Sequence, residues 1–122
     1  MKIISRKFHA VLDYMSGILL IAAPWALQFE DVSAATTTAV VAGALILIMS
    51  LMTNYEGGIV RIVPMSLHLN MDILLGLVLA ASPWLFGFKD EVYLPHLIMG
   101  VLAILSGIMT VRSSFHKLMS DV

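Results

Sequence analysis

The chain has 122 residues, of which 60% are hydrophobic and only 12% are charged, and its formal net charge is −1. A water-soluble domain carries about twice this charged fraction, so the composition indicates an integral membrane protein rather than a soluble one. The near-neutral charge and the lack of a basic run argue against nucleic acid as a partner. The absence of Cys excludes disulfides, thiolate metal sites and cysteine nucleophiles.

The apolar residues lie in four long blocks, 10–29, 36–53, 67–88 and 92–111. Each block has about 18–22 residues, which is enough for a helix to cross roughly 30 Å of hydrocarbon. Asp13 and Asp72 are the only acidic residues inside the first and third blocks, and the other two blocks contain no Lys, Arg, Asp or Glu. The pattern predicts an all-α membrane protein with four transmembrane helices.

The two halves of the chain repeat one pattern. Residues 8–31 align with 67–90 at an offset of 59, and residues 43–53 align with 100–110 at an offset of 57. We therefore predict a single membrane domain, 1–122, built of two tandem helical hairpin repeats, 8–53 and 67–110, joined by the linker 54–66. Because each hairpin crosses the membrane twice, the repeats are parallel-oriented about a pseudo-twofold axis along the membrane normal.

The distribution of Lys and Arg predicts the orientation. Six of these residues fall before the first helix, in the central linker or after the fourth helix: Lys2, Arg6, Lys7, Arg61, Arg112 and Lys117. Only Lys89 falls in the other two loops. Positively charged segments stay on the cytoplasmic side, so we expect a multi-pass protein of the cytoplasmic (inner) membrane with both termini cytoplasmic.

A Pro-Trp pair stands near the end of the first helix of each repeat. Pro24-Trp25 aligns with Pro83-Trp84, and Ser82 precedes the second pair. A proline removes one helical hydrogen bond and kinks or ends the helix, and an indole anchors at the membrane interface. We expect these four residues to be interface anchors and kinks.

These features together resemble the SPW-repeat family of small integral membrane proteins. The second copy carries Ser82-Pro83-Trp84, whereas the first departs from the motif with Ala23-Pro24-Trp25. The resemblance covers nearly the whole chain. It implies a two-repeat, four-helix membrane protein, and it implies no particular activity.

The residues that stand out chemically are two His-x-x-x-Asp pairs, His9–Asp13 and His68–Asp72. Residues four apart lie on one face of a helix. That face is expected to point into the protein, because an Asp facing lipid at the helix centre costs roughly 2.5–3.5 kcal/mol on insertion scales. The pairs lie near the predicted cytoplasmic ends of the first and third helices.

The sequence leaves several roles open for these pairs. If the helices face each other, His9, Asp13, His68 and Asp72 converge and bind a divalent metal ion such as zinc, or bind or conduct a proton or other small cation. Alternatively, the pairs only lock the helices of a structural or partner-binding scaffold. A third alternative is a haem-binding four-helix bundle with the two histidines as ligands. No catalytic motif is present, so we do not expect an enzyme.

The lipid bilayer is the expected partner, and the pattern of small residues is compatible with a homo-oligomer. Small residues recur on the second helix of each repeat: Ala35, Ala39, Gly43, Gly100 and Gly107. Such residues allow close helix contact within one chain or between chains. His96 and His116 have no counterpart in the other repeat, so we do not expect them to join the symmetric cluster.

Overall fold

The computed structural model describes residues 3–112 and contains four helices in this range. They are α1 (Arg6–Ala26), α2 (Ser33–Met52), α3 (Met65–Leu85) and α4 (Leu94–Met109). Between residues 3 and 112 there is no β-strand, and extended pairing is limited to two isolated bridges. The all-α, four-helix prediction is confirmed. Lys2, His116 and Lys117 lie outside the described residues.

Helices α1, α2 and α3 are each long and apolar enough to cross a membrane. Helix α4 has only 16 residues, about 24 Å, whereas the sequence predicted a block of about 20. It begins late because Pro95 occupies its first turn, the position in a helix where a missing N–H is tolerated. It ends early because Thr110 is extended and forms a bridge with Ile4. The fold is that of a helical membrane protein with one short helix.

Each hairpin is held together by a contact between glycines. A Cβ added at Gly43 would lie 2.6 Å from the carbonyl oxygen of Gly17, and one added at Gly76 would lie 2.6 Å from that of Gly100. Backbones therefore touch between α1 and α2 and, at the equivalent level, between α3 and α4. Within these hairpins, the small residues serve packing inside one chain.

The two hairpins form a bundle in which α2 packs on α3 and α1 packs on α4. Helices α1 and α3 consequently lie on one diagonal of the bundle. Leu20 of α1 and Leu79 of α3 are buried at equivalent positions of the core. Large apolar side chains such as Leu45 and Leu102 remain half exposed on the outside, as expected for a surface that faces lipid.

The two isolated bridges close the end of the bundle at which α1 and α3 begin. Ile4, just before α1, pairs with Thr110 at the end of α4, and Val63, just before α3, pairs with Thr53 at the end of α2. The two bridges are equivalent under the pseudo-twofold. They place a threonine from the end of each second helix beside the first turn of a first helix.

The Pro-Trp pairs lie at the opposite end of the bundle. Pro24 and Pro83 are buried within the last turn of α1 and α3, while Trp25 and Trp84 are 58% and 51% exposed. The Ser82 hydroxyl donates a 2.7 Å hydrogen bond to the carbonyl of Leu79, the group that Pro83 leaves without its helical donor. The serine of the motif thus compensates for its proline. Ala23, at the equivalent position of the first repeat, has no hydroxyl to do so.

Candidate functional site

The four residues of the two His-x-x-x-Asp pairs meet in one buried cluster on the α1–α3 diagonal. His9 Nε2 lies 3.1 Å from Asp13 Oδ1 on its own helix and 2.8 Å from Asp72 Oδ2 on α3. His68 Nε2 lies 3.0 Å from Asp13 Oδ2 across the bundle and 3.2 Å from Asp72 Oδ2 on its own helix. Each imidazole therefore contacts both carboxylates, and the two pairs form one cluster rather than two separate locks.

The cluster is almost completely removed from solvent. His9 and His68 have no exposed surface, and Asp13 and Asp72 are 6% and 7% exposed. Helical geometry explains the approach within each pair, because side chains four residues apart lie on the same face. The crossed contacts arise because α1 and α3 present these faces to each other, which keeps both carboxylates away from lipid.

A threonine fixes the orientation of each imidazole. His9 Nδ1 lies 2.8 Å from Thr110 Oγ1, and His68 Nδ1 lies 2.5 Å from Thr53 Oγ1. Each threonine hydroxyl donates its own proton to a backbone carbonyl four residues earlier, on Ser106 or on Met49. The threonine oxygens are therefore acceptors, and the hydrogen-bond network assigns a proton to Nδ1 of both histidines.

The other ring nitrogen, Nε2, faces the carboxylates in both histidines, and His9 Nε2 donates a 2.8 Å hydrogen bond to Asp72 Oδ2. His68 Nε2 is buried and, although it is close to both acids, it makes no hydrogen bond of acceptable geometry. A buried polar atom of this kind needs a partner. A metal-binding histidine likewise has its outer ring N–H held by a hydrogen-bond acceptor, which leaves the other ring nitrogen to bind the ion.

The distances between the four groups fit a small metal ion. One ligand atom from each residue can be chosen so that all four lie within 4.8 Å of one another. Tetrahedral zinc with bonds of roughly 2.0–2.2 Å separates neighbouring ligand atoms by about 3.4 Å. The contacts between imidazole and carboxylate, 2.8–3.2 Å, would lengthen by a few tenths of an ångström around such an ion, and any ligand atoms that lie as far as 4.8 Å apart would move closer together.

The same packing does not support the haem alternative. The rings of His9 and His68 are 5.4 Å apart between centroids and nearly perpendicular. Each Nε2 lies within 3.2 Å of an oxygen of both carboxylates. A porphyrin ligated on its two faces needs a continuous slot between the histidines, and the acids occupy that space.

Two contacts are made to the His9–Asp13 pair and have no counterpart at His68–Asp72, despite the repeat. The hydroxyl of Tyr55, which is fully buried in the linker, donates a 2.9 Å hydrogen bond to Asp13 Oδ2. Burial, followed by the nearby charge of Asp13, raises the pKa of Tyr55 above its usual range, so this phenol is a stable donor. Ser106 Oγ lies 2.8 Å from His9 Nδ1, whereas its counterpart in the first repeat is Met49, which has no hydroxyl.

The sequence pattern identifies the four central residues but not the residues around them. Thr53 and Thr110 align at the offset of 57, and a repeated polar residue at the end of an apolar helix was the signal that would have identified them. Tyr55 and Ser106 lack an equivalent in the other repeat, so the repeat gave no sign of either residue.

His96 lies apart from the cluster. Its ring is between Phe29 and Phe88, with centroids 5.5 and 4.8 Å away. Its Nε2 donates to the carbonyl of Ala35, at 2.9 Å, and so links α4 to α2 across the other diagonal. This contact belongs to the opposite half of the bundle, in agreement with the expectation that His96 does not join the symmetric cluster.

Comparison with known proteins agrees with this architecture. No curated protein and no solved structure matches the chain. The family profile described as the SPW repeat domain matches residues 7–110, a range that includes all four helices except the first residue of α1. The two tandem hairpins, the Pro-Trp pairs and this match together identify the chain as a member of the SPW repeat family.

Proposed function

We propose that this membrane protein binds a divalent transition-metal cation at Nε2 of His9 and His68 and at the carboxylates of Asp13 and Asp72. The observation that carries the proposal is the pair of Nδ1–H groups held by threonine hydroxyls, which leaves both Nε2 atoms directed at the two acids. Outer-shell hydrogen bonds of this kind orient metal-binding histidines in proteins.

Zinc is the ion that matches these ligands best. Two imidazole nitrogens and two carboxylate oxygens suit a tetrahedral site, whereas calcium and magnesium prefer oxygen ligands alone. Two carboxylates, two neutral imidazoles and one divalent cation have a total charge of zero. Neutrality favours such a site in the interior of a membrane protein, where an uncompensated charge is costly.

Four ligands from the protein favour binding over catalysis. A catalytic zinc site keeps one position open for water or substrate, whereas a closed site holds the ion. We therefore propose that the protein is a binding protein rather than an enzyme, with the lipid bilayer as its surroundings.

The second candidate is a structural scaffold in which the cluster only locks α1 to α3. The observation in its favour is that each imidazole already lies within ion-pair distance of both carboxylates. Two imidazolium and two carboxylate groups would also be neutral together. In this case the protein binds no metal, and losing the acids only weakens the fold.

Metal analysis and a double variant distinguish the two candidates. We expect protein purified in detergent to contain about one zinc per chain, or to bind one Co²⁺ with the absorption of a tetrahedral complex. Asp13→Asn with Asp72→Asn keeps the size of both side chains but removes both anionic ligands, and should abolish binding while the helices remain. Wild-type protein that contains no metal and binds none, with a lower melting temperature in the double variant, would favour the scaffold. Asp90→Asn is a matched control, because Asp90 is exposed and forms a surface ion pair with Lys89.

We also propose that the protein lies in the cytoplasmic membrane with both termini and the central linker on the cytoplasmic side. The support is the excess of Lys and Arg in these segments. Since the chain has no Cys, single cysteines report on topology directly. An impermeant maleimide should label Asp31→Cys in intact cells, but should label Ile59→Cys only after lysis. The reverse pattern would contradict this orientation.

A further inference from the structure

Two cavities reach the His/Asp cluster from opposite sides of the bundle. The α1–α4 cavity, about 150 Å³, lies between α1 and α4, and the α2–α3 cavity, about 210 Å³, lies between α2 and α3. Their linings correspond under the pseudo-twofold. Leu102 and Ser106 line the first cavity where Leu45 and Met49 line the second, and Ile4 occupies the place of Val63.

The two cavities differ in the polarity of their walls. Both carboxylates, Asp13 and Asp72, line the α1–α4 cavity, whereas only Asp72 lines the α2–α3 cavity. Ser16 lines the α1–α4 cavity one turn beyond Asp13, and Leu75 takes its place on the other side.

Ser106 is a second serine in the lining of the α1–α4 cavity, and it lies next to His9. Its hydroxyl is both a wall of the α1–α4 cavity and a neighbour of His9 Nδ1 at 2.8 Å. At the equivalent place in the α2–α3 cavity, the thioether of Met49 presents no hydroxyl. The four central residues repeat, but only the α1–α4 cavity has serine hydroxyls in its otherwise mostly apolar lining.

We propose that the α1–α4 cavity is the route by which the divalent cation enters and leaves the cluster, with Ser16 and Ser106 as its polar lining. This inference rests on the proposed metal-binding function. A cation that approaches the site must exchange hydrating water for protein oxygens, since passage along an apolar wall leaves the lost hydration uncompensated. The α1–α4 cavity offers two hydroxyls and both carboxylates for this exchange, and the α2–α3 cavity offers one carboxylate.

The pseudo-twofold supplies a matched pair of variants for a test. Leu102 and Leu45 are equivalent, are 53% and 50% exposed, and line the α1–α4 and α2–α3 cavities respectively. Neither side chain forms a hydrogen bond with the four ligands. Because both positions are half exposed on the outside of the bundle, each has room for part of a tryptophan side chain. Leu102→Trp should obstruct the α1–α4 cavity, while Leu45→Trp obstructs the α2–α3 cavity.

The experiment measures how fast Co²⁺ binds to metal-free, full-length protein in detergent micelles, using the visible absorption of the bound ion. We expect Leu102→Trp to slow binding at least tenfold with the final stoichiometry unchanged, and Leu45→Trp to bind at the wild-type rate. Ser16→Leu, which copies Leu75 of the other side, should also slow binding with an unchanged end point.

Equal rates for the two tryptophan variants, or slower binding in Leu45→Trp alone, would overturn the proposed route while leaving the metal site intact. A wild-type protein that takes up no Co²⁺ would instead reject the metal-binding function itself. The two failures are therefore distinguishable in one series of measurements. Circular dichroism checks that each variant has the helix content of the wild type, so that the rates are those of folded proteins.

Discussion

Thr53→Val should weaken both the fold and metal binding, because the Thr53 hydroxyl accepts the hydrogen bond of His68 Nδ1. Valine has nearly the shape of threonine, and the extended backbone at this position, with φ −90° and ψ 145°, suits a β-branched side chain. The change therefore removes a hydrogen-bond acceptor with little change in packing. It leaves the Nδ1–H of a fully buried histidine without its partner.

The expected magnitude follows from that loss. An unsatisfied buried donor costs about 1–3 kcal/mol, which is about 5- to 150-fold in an equilibrium constant. Removing an outer partner of a metal-binding histidine typically lowers metal affinity about 10- to 100-fold. We expect the affinity of Thr53→Val for Co²⁺ to fall within this range, together with a lower melting temperature in detergent.

Thr110→Val provides the matched comparison. Thr110 has nearly the same backbone conformation, and its hydroxyl likewise donates to a carbonyl four residues earlier. Its histidine, however, retains the hydroxyl of Ser106 at 2.8 Å. The loss in Co²⁺ affinity should therefore be only about threefold, or about 0.7 kcal/mol, and the double change Thr110→Val with Ser106→Ala should restore the full loss. Equal effects of the two single valine variants would refute the assignment of hydrogen bonds around the cluster.

Two further predictions concern the fold around the site. Gly100→Ala should lower the free energy of unfolding by about 1–3 kcal/mol, because its Cβ would lie 2.4 Å from the backbone nitrogen of Ala80. Gly17→Ala should lower the free energy of unfolding by less, since the closest contact of its added Cβ is the movable side chain of Leu47. Thermal unfolding of both variants measures the difference. A larger loss for Gly17→Ala than for Gly100→Ala would contradict backbone contact in the second hairpin. Because burial and the adjacent carboxylate raise the pKa of Tyr55 in the folded state, its contribution to stability is complete below the unfolded pKa of about 10 and is lost as pH rises above it. The melting temperature of the wild type should therefore fall between about pH 9 and pH 11, and that of Tyr55→Phe should fall by less. An equal fall in both proteins would refute a buried, protonated phenol.

The sequence was sufficient for the class of protein, the number of helices and the residues at the centre of the cluster. Each of these depends on a short-range or repeated pattern: apolar blocks of membrane-spanning length, an alignment at offset 59, and a spacing of four residues on a helix. The length of α4 was overestimated because hydropathy alone detects neither the helix start at Leu94, next to Pro95, nor the extended backbone at Thr110. The proline is a local feature, whereas the extended backbone at Thr110 accompanies its bridge to Ile4, which is distant in sequence.

Only the tertiary structure decided that the two His-x-x-x-Asp pairs are one cluster and that the cluster is asymmetric. Whether His9 meets Asp72 depends on the rotation of α1 and α3 about their axes, which is set by glycine contacts within the hairpins and by packing between them. The Tyr55 contact requires the path of the linker to be known, since no periodic pattern in the chain specifies it. The difference between the two cavities likewise arises from helices far apart in sequence. The repeat in the sequence therefore predicts a symmetric set of two histidines and two aspartates, while the packing determines what surrounds them.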